Sequence, residues 1–293
     1  MIKPLKNTLI QQATATKTVA KLQYRLECLS SRLSNDDVII EEPLQINLIW
    51  FNTKKAYYQH DELAVIMRTP GNDIELIVGF LFSEGVITNN ADIISICVAN
   101  DSPTNNILEV ELAKSVLLDW TLLTRSFTSQ SSCGVCGKTS IKSLALKSHK
   151  ALNNNSQWLS IAAIPEYCQT LTSKQDLFIS TGGVHAAGLI NNNQWLSVQE
   201  DIGRHNAVDK IIGDIVLNNH VLEEAILLLT GRISFELMQK AVMVGISVVI
   251  AVGAPSSLAV DVAKQFDITL IGFTKNKQFN VYHGDYRLKS EHI

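Results

Sequence analysis

The hydrophobic pattern of this chain changes character along its length. The first 37 residues are polar, rich in Thr, Gln and Ser, with little sign of strand alternation. They read as an extension or a loose helix. Alternation begins at Leu44, Ile46, Leu48 and Trp50, the mark of a half-buried strand after Pro43. Residues 62–70 read as a second strand, closed by Pro70-Gly71. Asp73 is then placed to cap a helix with Ile74, Ile77, Val78 and Leu81 on its apolar face, ending near Glu84-Gly85. Residues 93–99 and 107–112 follow as strands.

Beyond a polar stretch at 151–158, read as a linker, the pattern alternates in type. Residues 178–190 read as strand, Gly-Gly turn, strand, and 193–201 as a further strand. A helix follows, with Ala207, Val208, Ile211, Ile212 and Ile215 inside. Then come a buried strand over 224–230, a helix over 233–245, a strand over 246–253, a helix over 256–266 and a final strand at 268–273. Continuous apolar strands separated by helices predict a parallel sheet covered on both faces, with right-handed crossovers. The expected fold class is therefore α/β. A soft boundary near 128–150 separates a smaller N-terminal α+β domain (residues 38–128, after the 1–37 extension) from a C-terminal α/β domain (129–293).

Composition narrows the function. Of the 293 residues, 46% are hydrophobic and 18% charged, enough apolar surface for a substantial core. Twenty-five Lys and Arg against 28 Asp and Glu give a net charge of −3, scattered without a basic run, so no nucleic-acid partner is expected. The charge-free stretch 241–260 approaches membrane-span length. It is broken by Gly245, Ser247, Gly253, Pro255, Ser256 and Ser257, and reads better as strand, turn and helix start. No apolar leader opens the chain. The five cysteines, Cys28, Cys97, Cys133, Cys136 and Cys168, form no disulfide framework. A cytoplasmic protein without membrane segment is expected.

The sharpest chemical feature is Cys133-Gly134-Val135-Cys136, followed by Gly137 and Lys138, in an exposed loop of small polar residues leading into a helix read over 141–150. A helix starting just after it would aim its positive end at the loop, and Lys138 adds a cation; both favour thiolate. Thiolate attacks sulfane sulfur or disulfides, or binds metal. Sulfur relay, redox exchange and half of a zinc site all fit the residues. Zinc needs a second ligand pair, which the remaining cysteines do not offer, and no permanent metal is expected. A pair of ordinary small loop residues is the bland alternative, and an exposed double cysteine is a poor core choice.

A second constellation joins Thr181-Gly182-Gly183-Val184-His185 to Asp201 and to Arg204-His205-Asn206. Singly, His185 reads as a core histidine and Asp201 as a helix cap. Together they favour a ligand edge, where α/β sheets bind. Thr230-Gly231-Arg232 and Gly253-Ala254-Pro255-Ser256-Ser257 each leave a strand for a helix, suited to phosphate binding or to plain capping. Neither matches a dinucleotide fingerprint or P-loop. Lys275 and Lys277, in a segment of Asn, Thr and aromatics after the last strand, suit either a phosphate clamp or a solvated hairpin.

These segments resemble, in order, the FdhD/NarQ family of formate dehydrogenase accessory proteins: SSCGVCGK, STGGVHAAGL, EDIGRHNAVDK, LTGRISFELMQKA and VGAPSSLAVDVA, with EEPLQI and MRTPGNDIELIVGFLFSEGVI before them. The resemblance covers roughly 38–282. It implies a sulfurtransferase, a sulfur carrier that accepts persulfide sulfur from a cysteine desulfurase. The sulfur passes to the molybdenum cofactor, bis-molybdopterin guanine dinucleotide, for formate dehydrogenase as client. By resemblance Cys133 is the persulfide-bearing cysteine and Cys136 its companion. The cofactor-binding segment is Phe273, Thr274, Lys275, Asn276, Lys277 and Gln278. A homodimer and a cytidine-deaminase-like C-terminal sheet are also implied. The deaminase H-x-E and P-C-x-x-C signature is missing, so deamination is not. Turn chemistry puts the cofactor's nucleotide ends near Arg232 and Ser256. The alternative function is a non-catalytic cofactor-binding chaperone of the dehydrogenase.

Overall fold

The computed structural model describes residues 14–27, 30–99, 102, 105–118, 120, 123 and 152–289. A hairpin of β1 (Thr16–Arg25) and β2 (Ser30–Ile39) leads into a four-stranded sheet of order β4-β3-β6-β5. Its strands are β3 (Glu42–Asn52), β4 (Tyr57–Arg68), β5 (Ile93–Val98) and β6 (Ile107–Leu112). The alternation at Leu44, Ile46, Leu48 and Trp50 turns those side chains inward, at most 4% exposed. Helix α1 (Asp73–Ser83) crosses between β4 and β5.

The larger sheet has six strands in the order β13-β12-β11-β10-β8-β9. They are β8 (His185–Asn191), β9 (Gln194–Asp201), β10 (Ala225–Leu229), β11 (Val248–Ala251), β12 (Thr269–Lys275) and β13 (Gln278–His283). Helices α4 (Arg204–Leu217), α5 (Phe235–Val244) and α6 (Ser257–Phe266) join them. Strand β10 is buried throughout because both faces are covered. Ala225, Leu227 and Leu229 enter the core shared with α1, α4, α5 and the smaller sheet. Ile226 and Leu228 enter a second core with Ile164 and Leu171 of α2 (Ala163–Ser173). A short pair, β7 (Leu159–Ser160) with β14 (Leu288–Lys289), lies beside it.

The two sheets share one helical layer, and two glycines set its spacing. A Cβ on Gly79 of α1 would lie 1.8 Å from the Asp209 carbonyl oxygen of α4, and one on Gly213 of α4 would lie 1.8 Å from that of Glu75. The helix backbones therefore touch at their crossing, which no larger residue permits. Beside it, Lys240 of α5 holds the Asp209 carboxylate, which also accepts from Ser83 Oγ of α1 at 3.0 Å.

Several elements differ from the sequence reading. The polar N-terminus holds the β1–β2 hairpin, which the sequence reading missed: β1 alternates at Ala20, Leu22 and Tyr24, but β2 carries only Leu33 among polar residues and both strands are largely exposed. Residues 178–181, read as the start of a strand, lie in helix α3 (Asp176–Thr181). Its N-terminal Leu177 and Phe178 N–H groups donate to Glu200 of β9, a cap from another element that overrides local composition. Gly182 ends it in the left-handed conformation. Asp73 begins α1 rather than capping it. Asn72 sits at the cap, and Asp73 accepts a bidentate pair of bonds from Arg68 at 2.9 and 3.0 Å. The large sheet is mixed: β10, β11 and β12 are parallel, whereas β8, β9 and β13 run antiparallel to their neighbours. The span 241–260 is the end of α5, strand β11 and the start of α6, as expected; no described helix is long and apolar enough to cross a membrane.

Candidate functional site

Strand direction gathers the chemistry at one sheet edge. β10, β11 and β12 are parallel, so their C-terminal ends, leading to Thr230, Val252 and Phe273, face the same way. β8 is antiparallel to β10, which brings His185, at its start, to that edge; β9 ends there because Asp201 pairs with His185. The sheet thus assembles four turns that lie far apart in sequence: 201–204, 230–233, 252–256 and 273–278.

Neighbouring turns touch through backbone. A Cβ on Gly253 would lie 2.5 Å from the Gly231 carbonyl oxygen. The Ile233 N–H donates to the Ala254 carbonyl at 3.0 Å, Ser256 N–H to Ile233 at 2.9 Å, and Phe273 N–H to Gly253 at 3.1 Å. Phe273 is held at φ 53° with its ring exposed, an uncommon conformation for an aromatic residue and the kind that concentrates at ligand sites.

The edge is cationic. Burial, and then the charges of Arg204, His205 and Arg232, hold the His185 imidazole below its ordinary value. The Arg204 and Arg232 guanidinium groups and the His205 ring therefore lie near His185. Arg204 Nε is buried without a hydrogen-bond partner among the described residues. His205 Nε2 lies 2.9 Å from Glu236 Oε2 and 3.3 Å from Ser234 Oγ. Its hydrogen bond leads in holding the Glu236 carboxyl below the usual range. The N-termini of α4 and α5 open here without a side-chain cap bond, whereas Ser256 Oγ caps α6 by accepting from Ala259 N–H at 3.2 Å. Uncapped helix starts, an orphaned guanidinium nitrogen and close-packed glycine turns together fit an anionic group such as a phosphate.

The edge stands on a buried frame. Asp201 accepts from the Thr69 N–H at 3.1 Å, from Gly203 N–H at 2.9 Å and from Asn206 Nδ2 at 2.9 Å. Thr69 Oγ1 accepts from Ile202 N–H at 3.1 Å, and Lys210 Nζ donates to the Thr69 and Glu200 carbonyls. The part of this frame that involves Thr69 escaped the sequence reading, because Thr69 stands more than 130 residues from Asp201, Ile202 and Lys210.

The expected site residues fall into three groups. Arg232, Ser256, Phe273, Lys275, Asn276, Lys277 and Gln278 are exposed at or beside this edge. Thr274 is at the edge but only 3% exposed, and its hydroxyl turns toward Cys168 on α2. Cys133 and Cys136 lie outside the described residues, as do the helix expected at 141–150 and Cys28. Cys97 and Cys168 are lone thiols; burial raises both, Cys168 to about 11. Among the described residues no cluster of three or more His, Cys, Asp or Glu is placed to hold a metal ion.

Residues 41–289 match the family model of the FdhD/NarQ family. The chain belongs to the FdhD/NarQ family. Among relatives, the sulfur carrier protein FdhD of Nocardia farcinica is 42% identical over 262 residues, covering 87% of this chain and 89% of that protein. The sulfur carrier protein FdhD of Picrophilus torridus is 43% identical over 257 residues, 86% and 92% of the two chains. A crystal structure from Desulfotalea psychrophila, assigned as a formate dehydrogenase accessory protein, superposes with a TM-score of 0.69 at 23% identity. It covers 94% of this chain and all of that one, and shows that the fold is shared. The FdhD/NarQ match includes both the cationic edge and the Cys133–Cys136 segment.

Proposed function

We propose that this protein is a sulfur carrier. It takes sulfur from a cysteine desulfurase and delivers it to the molybdenum cofactor destined for formate dehydrogenase. The carrying observation is the family match over 41–289, which spans Cys133-Gly134-Val135-Cys136, with relatives named sulfur carrier proteins.

In this reading the Cys133 thiolate attacks the outer sulfur of the donor's persulfide. A new S–S bond forms on Cys133 as the donor's S–S bond breaks and its cysteine leaves as thiolate. Delivery to the cofactor as substrate breaks the S–S bond on Cys133: the Cys136 thiolate attacks Cys133 Sγ, the outer sulfur leaves at the sulfide level, the Cys133–Cys136 disulfide that forms supplies the two electrons, and a cellular thiol reductant restores the pair. The substrate's pyrophosphate and guanine ends suit the cationic edge: Arg204 and Arg232 supply charge, the α4 and α5 starts supply N–H donors, and Phe273 offers a ring face. Lys275 and Lys277 flank it. The six-stranded sheet serves as the deaminase-like frame for this edge. The reaction belongs in the cytoplasm, where thiols stay reduced.

Intact-protein mass spectrometry after incubation with a cysteine desulfurase and cysteine tests the reading. One added sulfur on the wild type, absent from Cys133→Ser, is expected. An unmodified wild type would overturn sulfur transfer and leave a chaperone that binds the cofactor without carrying sulfur.

A further inference from the structure

Strand β4 leaves the small sheet through Arg68-Thr69-Pro70-Gly71, a segment to which the sulfur-carrier reading gives no task. Arg68 is anchored behind it: its guanidinium donates to both carboxylate oxygens of Asp73 and, at 2.9 Å, to Asn106 Oδ1. Pro70 restricts the residue before it to extended backbone, so Thr69 is fixed from both sides. Thr69 is 0% exposed, and it turns all three of its polar atoms toward the other sheet. Its N–H donates to Asp201 Oδ2 at 3.1 Å, its carbonyl accepts from Lys210 Nζ at 3.2 Å, and its Oγ1 accepts from the Ile202 N–H at 3.1 Å. Those partners stand 132, 141 and 133 residues further along the chain. The hydroxyl is thus spent on the 201–204 turn and not on closing β4.

That turn opens α4 at the cationic edge. The cap position is Gly203, which has no side chain, and the polar side chains beside it are engaged elsewhere. Asp201 is held by Thr69, Gly203 and Lys210. The Asn206 amide donates to the Met67 carbonyl at 2.8 Å and to Asp201 at 2.9 Å. The start of α4 therefore carries no side-chain cap bond, and Arg204 Nε is buried without a partner among the described residues. Both are donors for an anion, and both ride on the 201–204 turn. Donors that converge on one ligand lose affinity when the shell behind them loosens.

We propose that Thr69 is a positioning residue for the anion-binding edge. Through its Oγ1 bond to the Ile202 N–H it fixes the 201–204 turn, and so aims the α4 N–H groups and Arg204 at the ligand's phosphate. Thr69 itself is closed to solvent and touches no ligand. By this bond the exit of the small sheet sets the affinity of a site on the large one. The inference rests on the sulfur-carrier reading for the identity of the anion, and on the frame alone for the geometry. A threonine that served only the fold would cost stability when changed and leave the affinity of the folded protein as it was. The two roles therefore separate by binding.

The test titrates the full chain with GDP in a calorimeter, at a temperature where each protein is folded by circular dichroism. Thr69→Val keeps the shape and removes the acceptor, leaving the Ile202 N–H unpaired. It is expected to bind GDP about tenfold more weakly. Thr69→Ser keeps the hydroxyl and is expected to bind as the wild type does. Hydrogen exchange of the 202–206 amides should quicken in Thr69→Val and not in Thr69→Ser. The wild type supplies an arm that holds even where Thr69→Val does not fold. Because coupling between two sites is reciprocal, saturating GDP should slow exchange of the Thr69 amide, which no ligand reaches. Unchanged GDP affinity in Thr69→Val, an equal loss in Thr69→Ser, or a Thr69 amide indifferent to GDP would each overturn the proposal. So would a wild type that binds no GDP, which would take the nucleotide away from this edge. None of these results bears on sulfur loading of Cys133, which is read separately by mass.

Discussion

Lys210 Nζ lies 2.9 Å from Asp201 Oδ2 in a contact closed to solvent, their side chains 2% and 0% exposed. The pair ties α4 to the end of β9, and through the Thr69 backbone it fastens the strand β4 exit to the cationic edge. Removing one charge of a buried pair leaves the other uncompensated, which costs about 3–5 kcal/mol. Lys210→Met is therefore expected to lower unfolding stability by about 3 kcal/mol, the low end, because Asp201 keeps three N–H donors. Lys210→Met/Asp201→Asn should recover part of the loss. Urea unfolding of the three proteins checks both, and an unchanged midpoint in Lys210→Met would show that the pair contributes nothing net.

The crossing of α1 and α4 gives a sharper steric prediction. Backbone carbonyls occupy the place of a Cβ at both Gly79 and Gly213. Backbone cannot swing aside as a side-chain tip can, so Gly213→Ala must push the helices apart. Overpacking of this kind costs about 1–3 kcal/mol. The better helix propensity of Ala, about 1 kcal/mol in an exposed helix, offsets only part of it. The expected outcome is a lower melting temperature. Gly203→Ala, at α4's N-cap and facing the Asn206 side-chain amide, serves as the milder comparison.

How much of this was legible in the sequence depends on where each signal resides. Strands β3, β6, β10 and β11 were visible because their apolar residues satisfy one local rule, alternation or continuous burial. Helix α3 was not, since its start is capped by Glu200 from β9, a tertiary contact. The β1–β2 hairpin was missed because its alternation is confined to Ala20, Leu22 and Tyr24 of β1, while β2 is polar apart from Leu33 and its ends. At the site, Arg232, Ser256 and the 273–278 segment were each recognisable as turn residues. Their meeting at one edge depends on the parallel pairing of β10, β11 and β12, and the placing of His185 there on the antiparallel turn of β8. Thr274 looked like its exposed neighbours and is buried, because strand alternation turns it toward α2.

The five cysteines should separate by reactivity. Burial holds the Cys168 thiol at about 11 and raises Cys97, with Glu109 and Glu111 adding to the latter. At pH 7.5 a thiol near 11 is thiolate in roughly one molecule of several thousand, and thiolate is the reactive form. Native protein treated with iodoacetamide at pH 7.5 should therefore leave Cys168 unlabelled while Cys133 is alkylated, as read by peptide mass spectrometry. Unfolding in urea should abolish the difference. Rapid native labelling of Cys168 would contradict its burial against Thr274.

The cationic edge predicts how an anion binds and how that binding follows pH. Arg232→Ala and Arg204→Ala each remove a charged donor worth about 1.5–3 kcal/mol, so GDP should bind roughly 10- to 100-fold more weakly to either. Unchanged GDP affinity in Arg232→Ala would remove that residue from the site. His185 adds the pH dependence. Burial and its cationic neighbours hold it below its ordinary 6.5, so at pH 7.5 it is neutral. Unfolded protein gains a proton at His185 before the folded protein does, so this group withdraws stability as pH falls below 6.5. A bound anion reverses that balance by favouring the imidazolium. Affinity for sulfate, which keeps its charge throughout, should therefore rise as pH falls from 7.5 to 5.5, with proton uptake on binding. His185→Asn should flatten the part of that rise due to this group. Calorimetry in buffers of different ionisation enthalpy measures the uptake directly. An identical pH profile in wild type and His185→Asn would show that His185 does not sense the anion.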